Sequence, residues 1–222
     1  VKLHFLSGLP RSGSTLLTTL LYQNPLIHTE GVSALCDLMW NAQRSLDCDA
    51  IKSAHKQQIA ENIVTSLPAM YYSNTTRPIV IDKCRAWTLP LNVKMLKHYY
   101  TPKIICCVRD IDEVVQSFVS LFERNGRNDF FGSPFESELQ MAQAGLKSAI
   151  ESNDTDTFLL VDYNDLIGDT QRELDRIYKF LGMKSFQHDL ANIVTMNPVK
   201  DSVYGLEGMH YVRNTIGKRD ES

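Results

Sequence analysis

One junction constrains this chain more than any other. Between a strand-like run at residues 2–7 and a leucine-rich helical stretch at 15–22 stands Gly8-Leu9-Pro10-Arg11-Ser12-Gly13-Ser14-Thr15. A strand that turns through glycines directly into a helix is the opening unit of a parallel α/β fold, and the rest of the chain repeats the alternation. Helical spacing covers residues 33–45 and 55–72, with Ile59, Ile63 and Leu67 on one face and Pro68 predicting a break or kink. A short β-branched run at 79–81 precedes a helix at 90–99. A strand at 103–108 precedes a helix at 112–124, whose broad apolar face carries Val114, Val115, Phe118, Val119 and Phe122. Residues 125–134 are Gly/Asn/Asp-rich and read as an exposed loop. A helix at 136–152, a strand at 157–161 and a helix at 170–181 closed by Gly182 follow, and little regular pattern is found from 195 onward. Ile104-Ile105-Cys106-Cys107-Val108 is apolar throughout, as a strand buried on both faces must be. The expected fold is therefore α/β: a single P-loop-like domain over residues 1–222, with a central parallel sheet and helices on both faces.

Length agrees, since 222 residues suit one domain with its own core. The net charge of -3 argues against broad nucleic-acid binding. No spacing among Cys36, Cys48, Cys84, Cys106 and Cys107 matches a zinc site, and the five read as small buried thiols. Cys106 and Cys107, adjacent in a strand, should point to opposite faces. A disulfide among Cys36, Cys48 and Cys84 stays open in an oxidising compartment. No signal peptide or membrane-spanning stretch is visible, which favours a cytoplasmic location.

The junction also has a chemistry. Backbone N–H groups of a glycine-rich turn converge on an anion, and the helix N-terminus adds partial positive charge. Ser12, Ser14 and Thr15 add hydroxyl donors, and Arg11 adds a planar, permanently charged fork. The spacing approaches the nucleotide loop Gly-x4-Gly-Lys-Ser/Thr, but Ser14 stands where that loop has its lysine. A loop without the lysine is poorly built for hydrolysing a nucleoside triphosphate. The plainer reading is a strand–turn–helix junction with no ligand.

Residues 9–17 resemble the 5'-phosphosulfate loop of sulfotransferases that use 3'-phosphoadenosine 5'-phosphosulfate (PAPS). The loop is similar to the arginine-bearing form in tyrosylprotein and carbohydrate sulfotransferases; cytosolic small-molecule enzymes usually carry lysine where Arg11 stands. The resemblance implies that Pro10, Arg11, Ser12, Gly13, Ser14 and Thr15 hold the phosphosulfate within residues 1–30. It implies that Arg109 and Ser117, within 103–125, hold the 3'-phosphate from a strand end and the following helix. Lys83 would steady the departing phosphate oxygen, and Glu30 would be the catalytic base with His28 as its competitor. Tyr163 resembles a strand-end tyrosine near the 3'-phosphate. Tyr211 to Lys218, in the irregular segment 195–222, is similar to a C-terminal cofactor loop and offers Arg213 as a further phosphate ligand.

No metal is expected. The acceptor would be a hydroxyl on a carbohydrate, a tyrosine or a small molecule; the lack of a basic patch for an acidic peptide tilts the expectation away from tyrosine. The acceptor side would be built from residues 33–72 and 125–134. The rivals are a P-loop kinase, which would need magnesium and a nucleoside triphosphate, and a non-catalytic nucleotide-binding protein, which would bind without turnover.

Overall fold

The computed structural model describes residues 1–195 and 198–217. Five strands form one sheet in the order β2-β3-β1-β4-β5: β1 Lys2–Gly8, β2 Ile27–Thr29, β3 Ile79–Lys83, β4 Ile104–Val108 and β5 Phe158–Asp162. Every pairing is parallel, with Leu6 opposite Lys83 on one side of β1 and Ile105 on the other. The helices are α1 Ser14–Tyr22, α2 Leu35–Ser45, α3 Asp49–Ser53, α4 Gln57–Tyr71, α5 Pro90–Tyr99, α6 Ile111–Arg124, α7 Pro134–Glu151, α8 Tyr163–Gly168 and α9 Thr170–Leu181. Because all five strands run the same way, all five carboxyl ends lie along one edge.

Period-two alternation divides the core between the two faces. Phe5, Val80, Ile104 and Cys106 face one layer, where Leu35, Met39, Val64, Phe118, Phe122 and Leu146 cover them. Leu6, Ile81, Ile105 and Cys107 face the other, covered by Leu17, Leu20 and Leu21 of α1 and Leu174, Ile177 and Leu181 of α9. Cys106 and Cys107 thus sit in different layers, as their adjacency requires. Cys36, Cys106 and Cys107 are buried and Cys48 is exposed; all five cysteines are free.

Local signals set the element ends. Asp110 caps α6, accepting from the Asp112 and Glu113 amides at 2.9 and 3.2 Å. Ser133 caps α7 with Pro134 in its first turn, and Gly182 at φ 67 closes α9. Three expectations are corrected. Pro68 does not break α4, because it lies in the last turn and forfeits one helical bond. The buried stripe of α4 is Ala60, Val64 and Pro68, whereas Ile59 and Ile63 are 56% and 55% exposed. The 125–134 loop is not wholly exposed, since Phe130 stacks on Phe118 at 4.9 Å and is buried. The edge strand β2 and the short α3 and α8 carry too little periodicity to be read from sequence. Among the described residues no helix is long and apolar enough to cross a membrane.

His4 on β1 makes the fold acid-sensitive. It is 3% exposed, and among the described residues neither ring nitrogen has a partner. Burial, followed by the Lys2 and Lys103 charges, lowers its pKa from 6.5 to about 4. The folded chain therefore binds this proton less readily than the unfolded one, and stability present above pH 6.5 is lost as pH falls towards 4. His4→Leu should flatten the loss between pH 7 and pH 5 by about 2 kcal/mol, read from urea midpoints at each pH. Equal slopes in the two proteins would disprove this.

Candidate functional site

The loop after β1 is shaped by positive φ at Gly8 (117°), Arg11 (59°) and Gly13 (85°). Gly13 is the N-cap of α1, and the first helical bond runs from the Leu17 N–H to the Gly13 carbonyl at 2.9 Å. The amides of Ser14, Thr15 and Leu16 therefore have no acceptor within the helix and open towards the loop. A Cβ on Gly13 would stand 2.8 Å from the Tyr163 ring, so the loop is packed directly under that side chain. Ser12 turns inward and donates its hydroxyl to the Leu9 carbonyl.

Beside the loop lies the crevice between β1 and β4, from which the connections leave in opposite directions. Open α/β sheets bind ligands at such a crevice. Arg109 follows β4 directly. Its guanidinium lies 4.2 Å from the centre of the Tyr163 ring, donates to Glu113 Oε2 at 2.8 Å and to the Arg11 carbonyl at 3.1 Å. Arg11 donates to Ser117 Oγ at 3.1 Å and to the Met209 carbonyl. The structure thus brings Arg11, Gly13, Arg109, Ser117 and Tyr163 into one connected group. It also adds a link that the sequence did not suggest: Arg11, read as belonging to the 5' side, reaches Ser117, read as belonging to the 3' side.

The other half of the edge belongs to β3 and β2. Lys83, the last residue of β3, donates to Thr15 Oγ1 at 3.1 Å, aiming its charge at the start of α1. Burial, with the Arg85 and Arg11 charges adding to it, lowers its pKa from 10.5 to about 7. Asp82 anchors this strand end. It is fully buried and accepts from Ser33, from the Tyr72 hydroxyl at 2.6 Å and from the Trp87 indole at 2.6 Å. Burial raises the Asp82 pKa, and the three donors oppose the rise. Just past β2, Glu30 Oε1 lies 3.0 Å from His28 Nε2. His28 is buried between the Tyr22 and Tyr72 rings, so the two competitors for the role of base are hydrogen-bonded partners.

A cavity of about 20 Å³ opens here, with Thr15, Tyr22, Glu30, Gly31, Thr195 and His210 on its wall. The chain from 198 to 210 crosses it as a strap. Val199 packs where a Cβ on Gly31 would be 2.4 Å from its Cγ2, and Asn125 and Glu207 exchange hydrogen bonds at 3.1 and 2.8 Å. Leu206 and Met209 are buried in the Phe130 layer. His210 is held by Asp201, Nδ1 to Oδ1 at 2.6 Å, with the His210 amide donating to Oδ2 at 3.0 Å. This pair was missed from sequence, since its members stand nine positions apart in non-periodic chain. Arg213 is half-buried between Val212, which packs on the α1/α9 layer, and Asn214, whose carbonyl accepts from the Ile193 N–H at 2.9 Å. Lys218 lies outside the described residues.

Each strand end or the residues just past it thus carry one group of interest: Glu30 after β2, Lys83 on β3, the loop after β1, Arg109 after β4 and Tyr163 after β5. At one strand spacing per step this row spans about 19 Å. Fold and site together define an α/β protein with a glycine-shaped strand–helix loop at the sheet's carboxyl edge. The chain belongs to the sulfotransferase family, whose sequence profile matches residues 5–188, and it is accordingly a sulfotransferase enzyme.

Solved structures share the fold. The sulfotransferase domain of the Synechococcus PCC 7002 olefin synthase superposes with a TM-score of 0.61 at 19% identity, covering 96% of this chain and 88% of that one. The sulfotransferase domain from the curacin biosynthetic pathway gives 0.63 at 17%, covering 97% and 87%. A sulfotransferase from Alicyclobacillus acidocaldarius gives 0.57 at 14%, covering 89% and 87%. Comparison with curated protein sequences gives no match.

Proposed function

We propose that this chain moves a sulfuryl group from PAPS to a hydroxyl acceptor by in-line transfer. The observation that carries the reading is the joined pair of anion sites: the loop at α1 and the Arg109–Ser117 side meet through Arg11 and through Arg109 on the Arg11 carbonyl. A donor with a phosphosulfate and a separate 3'-phosphate needs two such sites. The structure of a mouse sulfotransferase complexed with PAP, the desulfated product nucleotide, supports it; that chain superposes at a TM-score of 0.50 and 15% identity, over 84% of this chain and 60% of its own.

On this reading the amides of the loop, the hydroxyls of Ser14 and Thr15 and the Arg11 guanidinium hold the phosphosulfate. Arg11 does so by giving up its bond to Ser117 or to the Met209 carbonyl. Arg109 and Ser117 hold the 3'-phosphate, Arg109 through charge-assisted bonds. Lys83 stabilises negative charge on the leaving phosphate oxygen. Glu30, steadied by His28, takes the proton of the acceptor hydroxyl. The narrow cavity beside Glu30 suits the tip of a hydroxyl-bearing carbohydrate or small molecule.

Calorimetry should show saturable PAP binding that survives EDTA and is not displaced by ATP. Glu30→Gln should keep that binding and lower PAP release from PAPS by about 10²–10⁴-fold. Binding of ATP with no affinity for PAP would sink the reading, and PAP binding without turnover across sugar, phenol and alcohol acceptors would favour a non-catalytic binder.

A further inference from the structure

His210 is used by none of the steps above, yet it lies on the wall of the cavity that holds Glu30. Its surroundings are those of a working imidazole. The side chain is nearly buried, Nδ1 is held at 2.6 Å by Asp201, and among the described residues Nε2 has no hydrogen-bond partner. An imidazole held at Nδ1 by a carboxylate presents a basic Nε2 and keeps its resulting positive charge paired. The cavity volume, about 20 Å³, accommodates roughly one water or one hydroxyl oxygen. A single oxygen placed there shares the cavity with Glu30 and His210.

We propose that His210, oriented by Asp201, is a catalytic residue that receives the reaction's proton from Glu30. The inference rests on the sulfuryl-transfer reading. The acceptor O–H gives its proton to the Glu30 carboxylate as the new O–S bond forms. The bond between sulfur and the 5'-phosphate oxygen breaks, and its electron pair leaves on that oxygen. The proton then passes through the water that refills the cavity to His210 Nε2, which becomes an imidazolium facing Asp201. Glu30 is restored as a carboxylate, and the imidazolium gives the proton to solvent water as product leaves, so both groups are ready for the next turnover.

The charged groups facing His210 are Asp201 on the strap, Glu30 past β2, Lys83 at the end of β3 and Arg85 in the turn that follows. Burial lowers the His210 pKa first of all, Lys83 and Arg85 add to that, and Asp201 opposes it. The imidazole is thus neutral and able to accept at pH 7. Turnover should fall on an acid limb set below pH 6.5, where His210 is already protonated.

The test follows PAP release from PAPS, with water and with sugar, phenol and alcohol acceptors, in the full chain. His210→Ala should lower kcat on the order of 10²-fold, leave the PAP dissociation constant within twofold, and recover at least fivefold with added imidazole. Asp201→Asn keeps an acceptor for Nδ1 and removes the charge, so it should move the acid limb to lower pH. On a Glu30→Gln background, His210→Ala should cost less than threefold, because the two act in sequence on one proton. Unchanged kcat in His210→Ala overturns the inference. So does a loss that follows melting temperature or PAP affinity and is not restored by imidazole, which marks a structural residue. Wild-type chain that releases no PAP with any acceptor overturns the sulfuryl-transfer reading itself, so the two failures are distinguishable.

Discussion

Lys83→Met is expected to leave the chain folded and to lower PAP release from PAPS by about 10²–10³-fold, the loss that follows removal of one preorganised donor from a developing negative charge. Lys83 reaches Thr15 Oγ1 at 3.1 Å and so stands at the N-terminus of α1 rather than in solvent. Its pKa near 7 adds a pH signature. In the free protein the ammonium is half charged around neutrality, and a bound phosphate dianion favours the charged form. PAP affinity should therefore fall as pH rises from 7 to 9, by up to tenfold per unit, and Lys83→Met should abolish that slope. Lys83→Arg, permanently charged, should flatten it while keeping part of the activity. The free protein should behave oppositely: the folded pKa lies below the unfolded 10.5, so this group's contribution to stability rises from pH 7 upward. Calorimetric PAP titrations at three pH values decide the matter, and parallel slopes in wild type and Lys83→Met would refute it.

Gly8→Ala should cost about 3 kcal/mol, or roughly 10 °C in melting temperature for a chain of this size. Two causes add. Gly8 has φ +117, which a side chain rarely adopts, and a Cβ there would sit 2.1 Å from the Cys107 carbonyl oxygen of β4. That neighbour is backbone in the middle of the sheet, held also by the Leu9 N–H at 3.0 Å, and it cannot turn away. Gly168→Ala is the control, since nothing lies within 4 Å of its Cβ, and it should shift stability by less than 1 kcal/mol. Equal melting temperatures for Gly8→Ala and wild type would show that the close approach of β1 and β4 is not what requires glycine.

Four of the five strands and most helices are legible because each buries a face with its own period. Ile104 to Val108 is apolar on both sides because helices cover both, and α6 shows Val114, Phe118 and Phe122 on one stripe. Ile59 and Ile63 misled because apolar spacing identifies a helix but not the side on which the protein lies; α4 turns Ala60, Val64 and Pro68 inward instead. The 125–134 segment is largely the exposed loop its composition predicts, but Phe130 within it is buried against Phe118 and Phe122. Of the site, the loop at Gly8–Thr15 and the run from Arg109 to Ser117 carry local spacing and could be read. Asp82 could not, because its three donors come from residues 33, 72 and 87.

The Gly8–Thr15 segment by itself determined a strand–helix turn that carries glycines, hydroxyls and an arginine at the start of a helix, since backbone φ and side-chain type are properties of consecutive residues. What surrounds that turn was decided by tertiary structure. Parallel pairing in the order β2-β3-β1-β4-β5 places Glu30, Lys83, Arg109 and Tyr163 along one edge with it. The strap joins Met209 to Arg11 across 198 residues and brings His210 and Asp201 over the cavity. Contacts at such separation leave no periodic trace in the chain. They form because two buried layers and a parallel sheet leave the carboxyl edge as the place where the remaining polar groups can meet one another.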